Sequence, residues 1–356
     1  MKFYSTIIIL LFFQAACQQK NLSSEKAKPN KQLPQSTQPI DIDGLSFVAP
    51  PRGFSVDPMK AVQDIGADWI AVIPYAYTRK GEAKVHFNSQ RQWWGERPEG
   101  VIETIQRANK AGLKVMLKPQ VYFPGSWPGD LDFDEENDWE SWEKEYRDYI
   151  MTFVPIADSL KVELFCIGTE FKYSEQKRVP FWRKLAKDIR QQYNGKLTYA
   201  SNWDCYNKMS FWDELDYIGI DAYFPLVNEK TPDHDALLKA WEQYIPDIRA
   251  IHKKTKKPVL FTEFGYLSVD GCAYNTWELE SKVRDLPVNQ QAQANALHAL
   301  FSVFSKEDYW AGGFLWKWFP NMKGHEGYPS LDYTPQGKMG AKVLRNWYIN
   351  EEPMSE

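Results

Sequence analysis

The regular alternation of short apolar runs with segments of helical periodicity constrains the fold most. Runs that are apolar on both faces are typical of parallel strands buried beneath helices. The predicted strands are residues 45–48, 69–75, 114–121, 164–170, 197–203, 217–223, 259–263 and 312–318. The predicted helices are residues 57–65, 98–111, 139–156, 181–193, 236–253, 297–304 and 335–347. This pattern predicts a single (β/α)8 TIM barrel of the α/β class, whereas a doubly wound open sheet would need a glycine-rich phosphate turn that the first strand lacks.

Two of the predicted strands end in a glutamate. Glu170 closes the run that begins at Leu164, and Glu263 closes the run that begins at Val259. A strand buried on both faces has no favourable place for a carboxylate, so an acid at its end is better explained by a site at the strand's exit. In a TIM barrel, the C-terminal ends of all strands meet on the catalytic face. Two carboxylates there are the pair that glycoside hydrolysis requires, although each could instead be an ion-pair partner at a loop mouth.

The aromatic content favours a carbohydrate ligand. The chain has 15 Trp, 19 Tyr and 20 Phe residues, many of them beside turns with proline or glycine, as in residues 93–95, 124–128 and 316–320. Sugar rings have apolar C–H faces and hydroxyl rims, which aromatic side chains beside polar groups bind well. The formal net charge of −4 gives no reason to expect a nucleic acid partner.

The histidines and cysteines predict neither a metal site nor a cofactor. The five histidines are far apart in the sequence, and no Cys-X-X-Cys pair exists. The spacing that marks protein metal sites is therefore missing. Cys166 lies inside a predicted strand and is expected to be a small buried hydrophobic residue. A monomer is expected.

The first 41 residues predict export and a lipid anchor. Residues 1–16 combine a positive N-terminus with an apolar segment too short to span a membrane, which is typical of a signal peptide. Cys17 follows two alanines and resembles the lipidated cysteine of a bacterial lipobox; a signal peptide with an incidental cysteine is the alternative. Residues 17–41 are polar and predict a disordered tether before the catalytic barrel, residues 42–350. The resemblance implies a protein anchored by lipid in the bacterial cell envelope, in the periplasm or on the outer surface.

The predicted strand ends resemble those of clan A glycoside hydrolases, and more closely those of glycoside hydrolase family 113. The resemblance rests on residues 46–52, 69–75, 115–119, 167–171 and 260–266, within a match that extends from about residue 43 to 348. Known members of that family are chiefly endo-β-1,4-mannanases. The resemblance therefore implies an enzyme that cleaves a β-1,4-linked mannan-type polysaccharide or oligosaccharide with retention of anomeric configuration.

The same resemblance implies roles for individual residues. Glu263 is expected to be the nucleophile and Glu170 the acid and base. Tyr223 is expected to donate a hydrogen bond to Glu263, and Trp316 to lie beneath the sugar at the cleavage point. Further substrate contacts are expected from aromatic and polar residues near other strand ends: Tyr75, Trp94, Lys118, Asn202 and Trp203.

Three further polar residues are expected near the two carboxylates, and two of them differ from the residues that the resemblance predicts. Gln120 stands where the resemblance predicts a histidine, and Thr169 stands where much of clan A has an asparagine before the acid. Asp221 ends a predicted strand and is expected to be a structural acceptor rather than a third catalytic acid.

Two classes of function stay open. The first is the hydrolase, whose action could also be that of a cellulase, a β-mannosidase or an enzyme specific for another β-linked glycan. The second is a non-catalytic glycan-binding lipoprotein on the same fold. The presence of both carboxylates favours the enzyme, because a binding protein could lose one of them.

Overall fold

Eight parallel strands close into a barrel, and the predicted TIM barrel is confirmed. The computed structural model describes residues 42–321 and 329–349; the predicted signal peptide 1–16 and the predicted tether 17–41, with Cys17, lie outside the described residues. The barrel strands are β1 Ile42–Phe47, β2 Trp69–Val72, β3 Lys114–Leu117, β4 Leu164–Thr169, β5 Lys196–Asn202, β6 Ile218–Asp221, β7 Val259–Phe264 and β8 Trp310–Trp318. Each strand pairs with the next along the chain, and β8 closes the barrel against β1.

Helices connect the strands around the outside of the barrel. They are α1 Met59–Asp64, α2 Pro98–Lys110, α3 Glu136–Ser159, α4 Ser174–Lys177, α5 Val179–Arg190, α6 His234–Trp241, α7 Ile245–Thr255, α8 Thr276–Glu280, α9 Gln290–Phe304 and α10 Met339–Ile349. The connection between β5 and β6, which is described throughout, is the exception, because it contains a 3₁₀ turn, Trp212–Glu214, and no α-helix. Within residues 42–321 and 329–349, no helix is both long and apolar enough to cross a membrane.

Prolines divide three of the predicted elements. Pro74 and Pro119 interrupt the predicted strands 69–75 and 114–121, because proline has no backbone N–H to donate to a strand ladder. Beyond them, Tyr75–Tyr77 and Gln120–Tyr122 form a separate two-stranded parallel sheet, here called the rim ribbon. The predicted helix 236–253 is likewise two helices, since Pro246 lies in the first turn of α7.

The apolar residues form two layers. The larger layer lies between the strands and the helices, and a smaller cluster lies inside the barrel. Inside the barrel, the ring of Trp69 meets that of Phe314 edge-on at a centroid distance of 6.2 Å. Cys166 belongs to this inner cluster and is fully buried. The outer layer contains much of the aromatic content, which the sequence alone could not divide between core and ligand site.

Aromatic rings pack closely behind the end of β4. Trp142 of α3 stacks on Tyr146 at 4.8 Å, and Phe171 lies edge-on to Trp142 at 5.1 Å. Gly168 allows this packing, because a Cβ atom there would lie 2.6 Å from the ring of Tyr199. The backbone that leads into Glu170 is therefore held by rigid neighbours.

Candidate active site

Glu263 lies near the C-terminal end of β7 and receives three side-chain hydrogen bonds. Lys118 Nζ and Gln120 Nε2 donate to its Oε1 at 2.5 and 2.7 Å. Tyr223 Oη donates to its Oε2 at 2.8 Å, which is the hydrogen bond that the sequence resemblance implies. The side chain is buried, so its lone pairs depend on these protein donors rather than on water. Three donors, one of them a cation, are suitable partners for a carboxylate ion.

Lys118 does not present its ammonium group to the cleft. Its side chain is fully buried, and its Nζ lies 3.3 Å from Oδ1 of Asp221 as well as 2.5 Å from Glu263. Burial acts to lower the pKa of Lys118, but the two carboxylates outweigh it and raise that pKa. The expected substrate contact of Lys118 is therefore replaced by an ion pair beneath the site. The sequence could not distinguish these roles, because a lysine at a strand end can point into the barrel or out of it.

Asp221 ends β6 and is fully buried beside the ion pair. Its Oδ1 accepts hydrogen bonds from Lys118 and, at 2.8 Å, from Thr262 Oγ1. Burial and the neighbouring charge of Glu263 raise the pKa of Asp221. Because its side chain has no exposed surface, Asp221 fits the expected role of a structural acceptor.

Glu170 has surroundings opposite to those of Glu263. It directly follows β4, is half-buried, and adopts a left-handed backbone with φ of 57°. Its backbone N–H donates to the carbonyl of Ala200 at 2.8 Å, which fixes its position against β5. Burial raises the pKa of Glu170 well above its usual range, and the negative charges of Asp221 and Glu263 add to the effect. A carboxyl group with a raised pKa keeps its proton to higher pH than an ordinary glutamate, which suits the part of a general acid.

Trp127 is a site residue that the sequence did not single out. Its indole N–H donates to Oε2 of Glu170 at 2.6 Å. The only sequence signal was its place in the proline- and glycine-rich loop after the third predicted strand. Gln120 is similar, because it was noted only as a departure from the expected histidine and yet contacts Glu263 directly.

A cavity of about 120 Å³ lies at the ends of β1, β2 and β8 on the catalytic face. Its lining includes Tyr75 of the rim ribbon, Trp93 and Trp316, all of them partly exposed or exposed. Burial raises the pKa of Tyr75, and the charge of Glu263 raises it further. Tyr75, Trp93 and Trp316 thus give the cavity an aromatic lining.

Trp94 faces away from this cavity. Its indole N–H donates to Oε2 of Glu103 on α2 at 2.8 Å, and the guanidinium of Arg97 lies 5.3 Å from its ring. The neighbouring Trp93 lines the cavity and is 40% exposed. Trp93 rather than Trp94 therefore lines the cavity, and the sequence could not decide which of two adjacent tryptophans turns inward.

Asn202 and Trp203 lie at the end of β5, beside Glu170 rather than beside Glu263. Asn202 Nδ2 donates to Oδ1 of Asp204 at 2.9 Å. The ring of Trp203 stacks on that of Trp277 at 5.7 Å with an interplanar angle of 24°. Both residues are partly exposed on the catalytic face, and neither contacts a catalytic carboxylate.

The described residues contain no metal-binding cluster. Within residues 42–321 and 329–349, no three His, Cys, Asp or Glu side chains are grouped so that they could hold a metal ion. The residues that converge on the catalytic face are two carboxyl groups in contrasting surroundings, their hydrogen-bond donors and several aromatic rings. This arrangement provides one group that can give a proton and one that can attack or activate.

Comparisons with known proteins identify a family for this chain. The model of Glycoside Hydrolase Family 113 matches residues 53–338. A solved structure described as a GH113 β-1,4-mannanase complex is 26% identical, with a TM-score of 0.74, and the match covers 88% of this chain and 100% of that one. The GH113 β-mannanase AaManA from Alicyclobacillus acidocaldarius, in complex with ManMIm, is 24% identical, with a TM-score of 0.76 and 88% and 99% coverage.

A more distant likeness extends to other barrel enzymes. The β-glucuronidase of Ruminococcus gnavus is 14% identical with a TM-score of 0.58, over 87% of this chain and 50% of that one, and shows the fold alone. No match is found among curated proteins. The family match covers most of the chain, and the site has the two carboxylates that such an enzyme needs. The chain belongs to glycoside hydrolase family 113.

Proposed function

We propose that this enzyme hydrolyses β-1,4-linked mannan-type polysaccharides or oligosaccharides with retention of anomeric configuration. The observation that carries the mechanism is the contrast between the two glutamates. Glu263 is surrounded by Lys118, Gln120 and Tyr223 as donors, whereas burial raises the pKa of Glu170. Glycosidases with two carboxyl groups need such a division, one group ionised and the other protonated.

The first step forms a glycosyl-enzyme. An oxygen of Glu263 attacks the anomeric carbon, and the bond from that carbon to the glycosidic oxygen breaks. Glu170 transfers its proton to the departing oxygen, so the leaving sugar departs as a neutral alcohol. Lys118 binds one oxygen of the Glu263 carboxylate and Tyr223 binds the other. These two hydrogen bonds hold the carboxylate in position and reduce the rearrangement required for attack.

The second step releases the sugar. Glu170, now ionised, takes a proton from a water molecule, and the water oxygen attacks the anomeric carbon. The bond to Glu263 breaks and both carboxyl groups return to their starting states. Two inversions at one carbon give overall retention.

The similarity of the chain to two solved β-mannanases supports the assignment of mannan as the substrate. The test is hydrolysis of mannan, glucomannan, cellulose, xylan and chitosan by the purified domain, with the product lengths recorded. Mannan and glucomannan should be cleaved to short oligosaccharides. Preferred cleavage of cellulose, or release of mannose alone from chain ends, would replace the assignment with a cellulase or a β-mannosidase.

The nucleophile can be identified directly. An activated 2-fluoro-mannoside should form a stable ester with Glu263, found by mass spectrometry of the digested protein. The anomer first released from a substrate, followed by NMR, should match the configuration of the substrate. A label on another carboxylate, or release of the inverted anomer, would remove Glu263 from this role.

Attachment to the cell envelope is part of the proposal. It is supported by the signal-like residues 1–16 and by Cys17, which resembles a lipidated cysteine. Expression with radiolabelled palmitate should label the wild-type chain and not the Cys17→Ala variant. If the wild-type chain is not labelled, the alternative holds, namely an exported enzyme without a lipid anchor.

A further inference from the structure

Trp203 and Trp277 form a stacked aromatic pair at the edge of the catalytic face. Trp203 directly follows β5, and Trp277 is the second residue of α8. Their rings lie 5.7 Å apart at 24°. Trp277 is nevertheless 42% exposed, whereas most of the large aromatic side chains are buried. A wide apolar ring that is supported by a second ring and left open to solvent suggests a ligand contact.

The support beneath Trp277 is well anchored. The ring of Trp203 also packs against Phe224 at 5.8 Å and against Tyr244 at 6.5 Å. Tyr244 Oη donates to the carbonyl of Pro225 at 2.6 Å. Since its neighbours restrict the indole of Trp277, a ligand that binds to the ring need not supply much energy to order it.

A chain of contacts connects this pair to Glu170. Lys172 Nζ forms an ion pair with Asp204 Oδ2 at 2.5 Å, directly beyond Trp203. The same Nζ lies 5.9 Å from the ring of Trp127, whose indole N–H is bonded to Glu170. The pair therefore lies on the side of the site occupied by the acid, near β4 and β5. The cavity lined by Tyr75, Trp93 and Trp316 lies at β1, β2 and β8, across the barrel.

The position relative to Glu170 indicates which part of a substrate would reach the pair. The acid gives its proton to the oxygen of the leaving sugar, so that sugar must extend from the Glu170 side. Polar groups near the rings suit its hydroxyls, namely the amide of Asn202 and the carboxylates of Asp204 and Glu278. One exposed indole is also far smaller than the roughly 800 Å² that each partner buries in a stable protein interface.

We propose that Trp277, supported by Trp203, is a platform for a β-linked hexopyranose on the leaving-group side of the cleavage point. This inference rests on the proposed function.

Two substrates with different leaving groups test the platform. Mannohexaose extends sugars past the cleavage point, whereas nitrophenyl mannobioside has a leaving group without a sugar. Trp277→Ala should lower kcat/KM for mannohexaose about ten-fold, the effect of losing roughly 1.4 kcal/mol of stacking, and should lower the aryl glycoside value much less. Trp277→Phe should restore most of the loss, since it keeps an aromatic face.

The opposite side of the site offers a matched tryptophan. Trp93→Ala removes a ring that is exposed to a similar degree, 40% against 42%, but lines the cavity across the barrel. It should lower kcat/KM for both substrates by similar factors, because both fill that side.

The outcomes separate the platform from the proposed function. If the wild-type enzyme cleaves mannohexaose and Trp277→Ala affects both substrates equally or neither, the platform is wrong and the function stands. If the wild-type enzyme cleaves oligomers of another β-glycan instead, the mannan assignment is wrong, and the same substrate pair made from that glycan decides the platform. If it cleaves none, both fail. Should Trp277→Ala not fold, as judged by circular dichroism, Trp277→Gln on the same substrates gives the deciding comparison.

Discussion

At the scale of single residues, the two glutamates differ in their surroundings. Glu263 is bonded to a buried lysine, an amide and a phenol, whereas Glu170 has one indole donor. The same side chain can therefore act as an ion at one strand end and as an acid at another. The contacts of each carboxylate yield separate predictions.

Replacement of Glu170 by alanine should affect substrates according to their leaving groups. Hydrolysis of mannan should fall about 10²- to 10⁴-fold, because the departing sugar needs the proton. An aryl mannoside with a good leaving group should lose much less in the glycosylation step, and added azide should restore turnover. A variant that hydrolyses mannan at the wild-type rate would show that another group is the acid.

The pH dependence of the same pair of proteins follows from the raised pKa of Glu170. For the wild-type enzyme, kcat/KM on mannan should decline as the pH rises through that pKa, because only the protonated form of Glu170 donates. Glu170→Ala, assayed on the aryl substrate, should lack this decline. A decline at the same pH in both proteins would assign it to another group, such as Asp221.

Lys118 should be essential to stability as well as to activity. Lys118→Met leaves Asp221 and Glu263 buried without their cation, which should cost about 3–5 kcal/mol of unfolding free energy in urea. Adding Asp221→Asn removes one of the two unpaired charges and should recover part of that loss without recovering activity. The exposed pair Lys144–Asp148 provides the control, since Lys144→Met should cost far less than Lys118→Met. Equal costs for both lysines would contradict the buried ion pair.

At the scale of elements, short segments after the strands fix the catalytic groups. The rim ribbon begins where Pro74 and Pro119 end the barrel pairing, and it presents Tyr75 and Gln120 above β2 and β3. On the other side of the site, α4 follows Glu170 and is fastened to β5 through Glu175. The Oγ of Ser201 donates to both carboxylate oxygens of Glu175, at 3.0 and 3.2 Å.

Glu175 predicts how stability changes with pH. Burial raises its pKa from 4.5 to about 7, and the groups that face it, Ser201, Cys205, Tyr199 and Asp204, include no cation. The folded state therefore binds a proton that the unfolded state has lost, and this stabilisation is complete below about pH 4.5 and lost as the pH rises through 7. Glu175→Gln should lack this dependence of the unfolding free energy on pH. Between pH 4 and 8, the unfolding free energy of the variant should therefore rise by up to about 3 kcal/mol relative to that of the wild type.

Comparing the variant with the wild type at each pH cancels the contributions of Glu170 and Asp221, whose pKa values are also raised. Urea unfolding of both proteins at pH 4 and at pH 8 gives the difference in unfolding free energy at each pH. A difference that does not change with pH would show that the pKa of Glu175 is the same in the folded and unfolded protein, and the assignment of its raised pKa would be wrong.

At the scale of the whole molecule, the described barrel contains every residue assigned to the site. A chain that begins at residue 42 should therefore match the full chain in kcat/KM and in melting temperature. Assays of both forms in detergent check this, because a lipid on the full chain would otherwise alter its solubility. A lower melting temperature for the shortened chain would show that residues 1–41 contribute to the fold.

The sequence by itself determined the barrel and singled out its candidate catalytic pair. Eight apolar runs separated by helical segments leave few ways to bury the apolar surface of a chain of this length. A carboxylate at the end of such a run is conspicuous because burial would penalise it, so Glu170 and Glu263 could be found from local pattern alone. The local sequence was sufficient to find a candidate site residue where a charged residue ended an otherwise apolar segment.

Tertiary structure decided what lies around that pair. The direction of Lys118, the choice of Trp93 over Trp94 and the hydrogen bond from Trp127 all depend on contacts between residues distant in sequence. A side chain at a strand end can turn towards the barrel axis, the cleft or a helix, and the energy that selects among them comes from partners that the local sequence does not contain. The prolines that created the rim ribbon were visible in the sequence, but only the pairing of its two strands placed Gln120 against Glu263.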